Sequence, residues 1–302
     1  MSVHAAAASR SLAGRFASTF ALGLGLLLAA FSAQAGNLWL TGHDADFHCD
    51  GTGGAQCNYF GIAVNFVRQS APTKTLPVLV LDTGSEVTNS LGATESKARN
   101  TVEGPGAAFP FVKVDPSSPA FATTPINVAN WSAIIVASDS TCGGCDNDPA
   151  DIAAINARTT EIQAFFTAGG GLLYLAGASD RDTYYSSVPI PATGVAVSAP
   201  FAVQAPGAAL GLTSGDVNCC ATHNSFNLPP AGSALVVAET DSAGKAETLI
   251  ATGATICPGG ICGAGGPVAL LPVPTMSEWS MVVMALLIAS LGWVTLRRRS
   301  RR

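Results

Sequence analysis

Positive charge is scarce in this chain. Of its 15 lysines and arginines, only eight fall between Gly36 and Trp279, the stretch that holds all 20 aspartates and glutamates. Nucleic-acid binding needs clustered cations to neutralise phosphates, so this acidic balance excludes nucleic acid as a partner. Solubility or affinity for cations is the expected use of such a surface. Signatures of common chemistries are missing as well. Asp82-Thr83-Gly84-Ser85 has the letters of an aspartic-peptidase loop, yet no second Asp-Thr-Gly or Asp-Ser-Gly supplies the partner carboxylate that this chemistry shares a proton with. An ordinary strand-to-loop turn is the expectation there.

Long apolar runs are confined to the two ends. Arg10 and Arg15 precede the run from Phe20 to Phe31, and Ala33-Gln34-Ala35 has the small residues a signal peptidase requires. Residues 1–35 therefore read as a signal peptide cleaved after Ala35, with signal peptidase and the export machinery as partners; the alternative is an uncleaved anchor. At the other end, VPTMSEW (Val273 to Trp279) leads into an apolar run from Ser280 to Leu296, followed at once by Arg297, Arg298, Arg299, Arg301 and Arg302. At ~1.5 Å per residue this run spans about 25 Å, enough for one helix across a thin bilayer. Trp279 and Trp293 sit near its ends, and the arginines hold the C-terminus in the cytoplasm. The bulk of the chain is then outside.

That tail closely resembles the IPTL-CTERM sorting signal, whose pattern is Ile-Pro-Thr-Leu, two variable residues, Trp and Gly, then a membrane helix and basic residues. Pro274, Thr275 and Trp279 stand unchanged, while Val273, Met276 and Ser280 replace Ile, Leu and Gly. The resemblance implies an exosortase-type sorting enzyme as partner and an inner-membrane-anchored precursor. It also implies a destination at the cell surface or extracellular matrix of a Gram-negative-type envelope.

All eight cysteines lie in the exported part: Cys49, Cys57, Cys142, Cys145, Cys219, Cys220, Cys257 and Cys262. An even count outside the cytoplasm argues for disulfides. Spacing favours Cys49 with Cys57, Cys142 with Cys145 and Cys257 with Cys262, and leaves Cys219 and Cys220 joined to each other or drawn into other pairs.

Between the ends, apolar runs alternate with helical patterns, which predicts an α/β domain over residues 36–255 with a mostly parallel sheet and flanking helices. Residues 256–272 read as a Gly/Pro linker. Strands are expected at Asn37 to Thr41, Pro77 to Leu81, Phe111 to Val114, Ser132 to Ala137 and Gly171 to Leu175, with a closing hairpin at Ala234 to Glu239 and Ala246 to Thr252. Asp148 and Pro149 start a helix whose buried face carries Ile152, Ile155, Ile162 and Phe166. Thr183 to Pro230, rich in Pro, Ala and Gly, reads as irregular surface structure. The order WSAIIVASDS, helix, FFTAGGGLLYLAGAS is similar to the class I glutamine amidotransferase superfamily and its ThuA-like relatives. That resemblance implies a nucleophile elbow at Tyr174-Leu175-Ala176-Gly177-Ala178, where Ala176 stands in the place of the reactive Cys, and no His-x-Glu pair follows. An inactive site is what it implies here.

The densest polar cluster is GHDADFHC. His43, Asp44, Asp46 and His48 can supply imidazole and carboxylate ligands to a divalent cation, with His43, Asp46 and His48 as the candidate set and His223 or Asp139 as the distant closing ligand. The alternative is an acidic loop whose Asp caps a helix. If the strands are parallel, Asp82, Asp139, Asp180 and His223 share the same sheet edge as ligand-binding residues, because open α/β sheets bind at the carboxyl ends of their strands. Cys142-Gly143-Gly144-Cys145 has thioredoxin-like spacing, but Asp139, Asp146, Asp148 and Asp151 crowd it with negative charge, which disfavours a reactive thiolate. Three functions follow: a noncatalytic surface or matrix protein, which the empty elbow favours; a metal-dependent hydrolase through His43, Asp46 and His48; and a thiol-disulfide oxidoreductase through Cys142 and Cys145.

Overall fold

Strands that are apolar at every position need cover on both faces. The computed structural model describes residues 36–48, 55–83, 111–139, 147–177, 181–190, 192–219, 222–230, 233–257 and 260–262, and within them such strands form the centre of one sheet. Leu38–Thr41 (β1), Val78–Leu81 (β2), Phe111–Val114 (β3), Ala133–Val136 (β4) and Gly171–Tyr174 (β5) lie parallel in the order β3-β2-β4-β5-β1. Every residue of β1, β2, β4 and β5 is buried, whereas β3 at the edge is half-exposed.

Alternate residues of these strands enter two separate cores, as the two-residue period of a strand requires. On one face Trp39, Val80, Ile135 and Leu173 pack against Tyr59, Val64 and Val67 of the helix Ala55–Arg68, which follows the short helix Ala45–His48. We number these α2 and α1. On the other face Leu40, Leu79, Val136 and Leu172 meet Phe121 of Pro119–Thr123 (α3), Ile152 and Ile155 of Pro149–Ala157 (α4), and Ile162 and Phe166 of Thr159–Thr167 (α5). The helix expected after Asp148 thus comes in two pieces, turned at Arg158, whose guanidinium reaches Phe121 O at 2.5 Å and Thr124 O at 2.8 Å. Its N-terminus is a reciprocal cap: Asp148 Oδ1 accepts from Ala150 N and Asp151 N, and Asp151 Oδ2 accepts from Asp148 N. Gly169, at φ 102°, ends it in the left-handed region.

The expectation for Thr183 to Pro230 needs correction. This segment holds Arg181–Tyr184 (α6), Gly194–Val195 (β6), Ala202–Val203 (β7), Ala205–Ala209 (α7), Ser214–Val217 (α8) and Ser225–Phe226 (β8). It buries Tyr184, Tyr185, Val188, Phe201, Val217 and Phe226. The Pro- and Gly-rich composition kept these elements short without keeping them at the surface. With the hairpin Val236–Thr240 (β9) and Ala246–Ala251 (β10) they build an antiparallel wing: β10 lies against β1, the sheet continues through β8 to β6, and β9 carries β7. The parallel half agrees with the expected fold class; the wing makes the sheet mixed.

Thr255–Cys257 (β11) and Gly260–Cys262 (β12), at the start of the expected linker, pair as a two-stranded hairpin in which Cys257 faces Gly260 and Cys262 faces Thr255. The signal peptide, residues 263–302 with the sorting motif and the span 280–296, and Cys49, Cys142, Cys145 and Cys220 lie outside the described residues. Among the described residues no helix is long and apolar enough to cross a membrane.

Candidate functional site at the carboxyl ends of the parallel strands

β1, β2, β4 and β5 end at one edge, and the residues that follow are polar: Gly42 to Asp46 after β1, Asp82 and Thr83 after β2, Ser138 and Asp139 after β4. After β5 comes Ala176, fully buried, then Gly177. Backbone pairing continues past β1, Gly42 N donating to Glu247 O at 3.3 Å and Gly42 O accepting from His223 N at 2.9 Å, before the chain winds into α1.

The candidate metal ligands serve three different partners. His43, wholly buried, turns inward: Nε2 lies 3.0 Å from Glu239 Oε1 and 4.0 Å from Glu247 Oε1, while Nδ1 lies 2.8 Å from Thr222 Oγ1. Asp46 accepts from Ser138 N and Ser138 Oγ, both at 2.7 Å, tying the end of β4 to α1. His48 Nε2 lies 3.4 Å from Asp44 Oδ2. As placed, no three His, Cys, Asp or Glu side chains among the described residues surround one ion position.

The site around His43 is a buried polar network that the sequence reading did not foresee. Glu239 Oε2 accepts from Thr248 Oγ1 at 2.9 Å, and Thr248 in turn meets Tyr59 OH at 2.6 Å; Tyr59 OH also donates to Thr41 Oγ1 at 2.8 Å. Glu247 Oε1 accepts from Gly42 N at 3.1 Å. Ser225 Oγ lies 2.9 Å from Asp241 Oδ2 and 3.1 Å from Glu247 Oε2. One hydroxyl proton cannot serve two carboxylates, so the second contact needs a proton from a carboxyl group. Glu247 is that group: complete burial, with the neighbouring Glu239 charge adding to it, pushes its carboxyl well above the usual range. The neutral form that this shift favours can donate to Ser225 Oγ while Ser225 donates to Asp241. Tyr59 is held up by the same burial and by Glu239.

A bulge delivers these groups. Ala246 faces Thr240 and Thr248 faces Glu239, so Glu247 is an extra residue on β10 with no partner on β9, its side chain turned toward Gly42 and Ser225. The only sequence signal was a glutamate inside each of two otherwise apolar strands. In a hairpin of alternating pattern that reads as a solvent-facing position.

The remaining candidates divide. His223 comes to the edge: its Nε2 lies 2.9 Å from Asp44 Oδ2, and this hydrogen bond holds its imidazole above the ordinary histidine range against the opposing effect of partial burial. The stability it contributes is present below that ordinary range and is lost as pH rises through the raised value. Asp82 is paired with Lys113 Nζ at 3.1 Å, and not with the second carboxylate that aspartic-peptidase chemistry requires. Asp139 pairs with Asn147 in an isolated bridge and lines, with Asn147, Asp148, Ile152 and Tyr184, a small cavity of about 50 Å³. Asp180 lies outside the described residues. Tyr184 and Tyr185 close the edge from behind, Tyr184 OH donating to Ala137 O at 2.5 Å and Tyr185 OH to Leu175 O at 2.7 Å. Burial raises both phenols.

Residues 272–299 match the family model of the IPTL-CTERM motif. No curated protein and no solved structure matches the chain, so the likeness to the amidotransferase superfamily has no support from structure.

Proposed function

We propose that this chain is an exported precursor, held in the inner membrane by the span 280–296 and passed to the cell surface or matrix by an exosortase-type enzyme that acts at its tail. The single observation that carries this is the IPTL-CTERM match over residues 272–299, placed after an acidic, cysteine-bearing domain. The domain 36–255 serves there as a binding module without hydrolytic chemistry. That part of the reading is supported by the separate partners of His43, Asp46 and His48, which do not converge on one position among the described residues. The oxidoreductase reading depends on Cys142 and Cys145, for which the acidic neighbourhood remains unfavourable.

Replacing Pro274 and Trp279 with Ala in the expressing cell is expected to leave the protein in the membrane fraction with its tail uncleaved, measured by fractionation and by the mass of the mature chain. Surface display at the wild-type level would remove the sorting assignment. Thiol labelling of the exported protein, denatured without reductant, is expected to find no reactive cysteine. Two or more labelled cysteines would favour Cys142 and Cys145 as a redox pair.

A further inference from the structure

We infer that Thr222 is a nucleophile activated by His43 and Glu239, and that it takes an acyl group from an activated ester onto its Oγ1. The three side chains stand in a line beyond the carboxyl end of β1. Thr222 Oγ1 lies 2.8 Å from His43 Nδ1, and across the ring His43 Nε2 lies 3.0 Å from Glu239 Oε1. The roles follow from what each atom can donate. A carboxylate only accepts, and Glu239 also accepts from Thr248 Oγ1 at 2.9 Å, so the proton of the neutral imidazole is assigned to Nε2, facing Glu239. Nδ1 then carries the lone pair, and the Thr222 hydroxyl donates to it. A hydroxyl, an imidazole that accepts its proton and a carboxylate that fixes the tautomer make an activated nucleophile on any fold. Residues 43, 222 and 239 have no spacing that the sequence could announce.

Backbone pairing brings the segments together. His43 pairs antiparallel with Thr222, and His223 N donates to Gly42 O at 2.9 Å. That bond flanks the pair, so His43 and Thr222 face each other at a non-hydrogen-bonded position, where opposed side chains approach most closely. Glu239 is set on β9 opposite Thr248 of β10. Exposure is graded along the line: Thr222 is half-buried, whereas His43 and Glu239 are wholly buried. An ester can reach the hydroxyl while the base and the anion behind it stay dry. The ring is held edge-on by Tyr59, 4.7 Å between centroids, and by Phe201 at 5.4 Å.

In the transfer, Thr222 Oγ1 bonds to the acyl carbon as the ester's carbon–oxygen bond breaks, and the leaving group departs as its anion. The hydroxyl proton passes to His43 Nδ1, and the Glu239 carboxylate stabilises the imidazolium so formed. A protonated, wholly buried His43 does not activate water, so the acyl group stays on Thr222. This step rests on the reading of the domain as a binding module without hydrolytic chemistry, and it makes that binding covalent.

The test treats the full-length chain, purified in detergent, with p-nitrophenyl acetate. The wild type is expected to release about one equivalent of p-nitrophenolate through Thr222, with peptide mapping placing on that residue an acetyl group that hydroxylamine removes as an ester. A positioned base contributes about 100- to 10,000-fold, so Thr222 is expected to be acetylated at least about 100-fold faster than Thr123, an exposed threonine with no imidazole beside its hydroxyl. Glu239→Gln keeps an acceptor for Nε2 without the charge and is expected to slow the reaction of Thr222 by at least about tenfold. The comparison with Thr123 is made within the wild type, and decides the matter if Glu239→Gln fails to fold. Thr222→Ala is expected to lose the ester and Thr222→Ser to keep it. Acetylation of Thr222 no faster than that of Thr123, or an undiminished rate in folded Glu239→Gln, overturns the inference and leaves the binding-module reading standing. Continued release of p-nitrophenolate by the wild type, lost in Thr222→Ala, means that water takes the acyl group; it overturns covalent capture and the noncatalytic reading together.

Discussion

Glu239→Ala is expected to destabilise the domain by about 3–5 kcal/mol, whereas Glu247→Gln, one strand away in the same buried network, is expected to be tolerated. Removing Glu239 leaves His43 Nε2 without its carboxylate partner, and Thr248 Oγ1 with only Thr41 Oγ1 at 3.2 Å as acceptor, at positions that water does not reach; breaking a buried charged contact from one side carries a penalty of that size. Glu247 is different because its burial and the neighbouring Glu239 charge favour its neutral form. A glutamine amide still accepts from Gly42 N and still donates to Ser225 Oγ. The two variants also differ in their pH dependence. The folded pKa of Glu247 is raised above its unfolded value, so its contribution is complete below the usual glutamate range, near pH 4.5, and declines as pH rises toward the folded value. Glutamine does not titrate. The stability of Glu247→Gln relative to wild type is therefore expected to grow with pH from about 4.5 upward, at no more than about 1.4 kcal/mol per pH unit. Urea unfolding between about pH 5 and 8, followed by tryptophan fluorescence with the buried Trp39 as a reporter, measures both effects. A pH-independent difference between Glu247→Gln and wild type would show that Glu247 is ionised in the folded protein.

Gly42→Ala is expected to cost more than about 4 kcal/mol, enough to prevent recovery of folded protein. A Cβ at this position would lie 1.5 Å from Asn224 O and 2.6 Å from Asn224 C, both backbone atoms, and 2.8 Å from Glu247 Oε1. Flexible side chains can step aside from such an approach; here the strand β8 would have to move. It is held by Ser225 to Asp241 and Glu247 and by Asn224 Oδ1, which accepts from Gly177 N at 3.0 Å. The displacement would also draw His223 away from Asp44, since His223 N is bonded to Gly42 O. Gly244→Ala is the contrasting control. It sits at φ +76° with open space around it, so only backbone strain applies, about 1 kcal/mol. Thermal and urea unfolding of both variants compares them; a Gly42→Ala protein within about 1 kcal/mol of wild type would mean that β8 is not held where these contacts place it.

What the sequence by itself determined is local. VLVL, AIIV and GLLY have no polar position, so they had to be central strands covered on both sides. Asp148 and Pro149 could only begin a helix, and the spacing of Ile152, Ile155 and Ile162 set its buried side. The tail was legible for the same reason: a short motif, an apolar run and an arginine cluster act in sequence order and need no folded partner. The site was only half legible. The polar residues after β1, β2 and β4 could be placed at one edge once the strands were taken as parallel, but which of them meet was decided by contacts between segments far apart in the chain. Asp44 and His223 are joined by the bridge of His43 to Thr222; Glu247 enters the interior because a bulge on β10 reverses the face that alternation assigns to it. Tyr184 and Tyr185 lie in a stretch whose proline and glycine content signals loops, and they are buried because the open carbonyls at the ends of β4 and β5 require donors. Periodicity records which face of an element is apolar. It does not record which distant polar group will satisfy a buried one, and that pairing exists only in the tertiary structure.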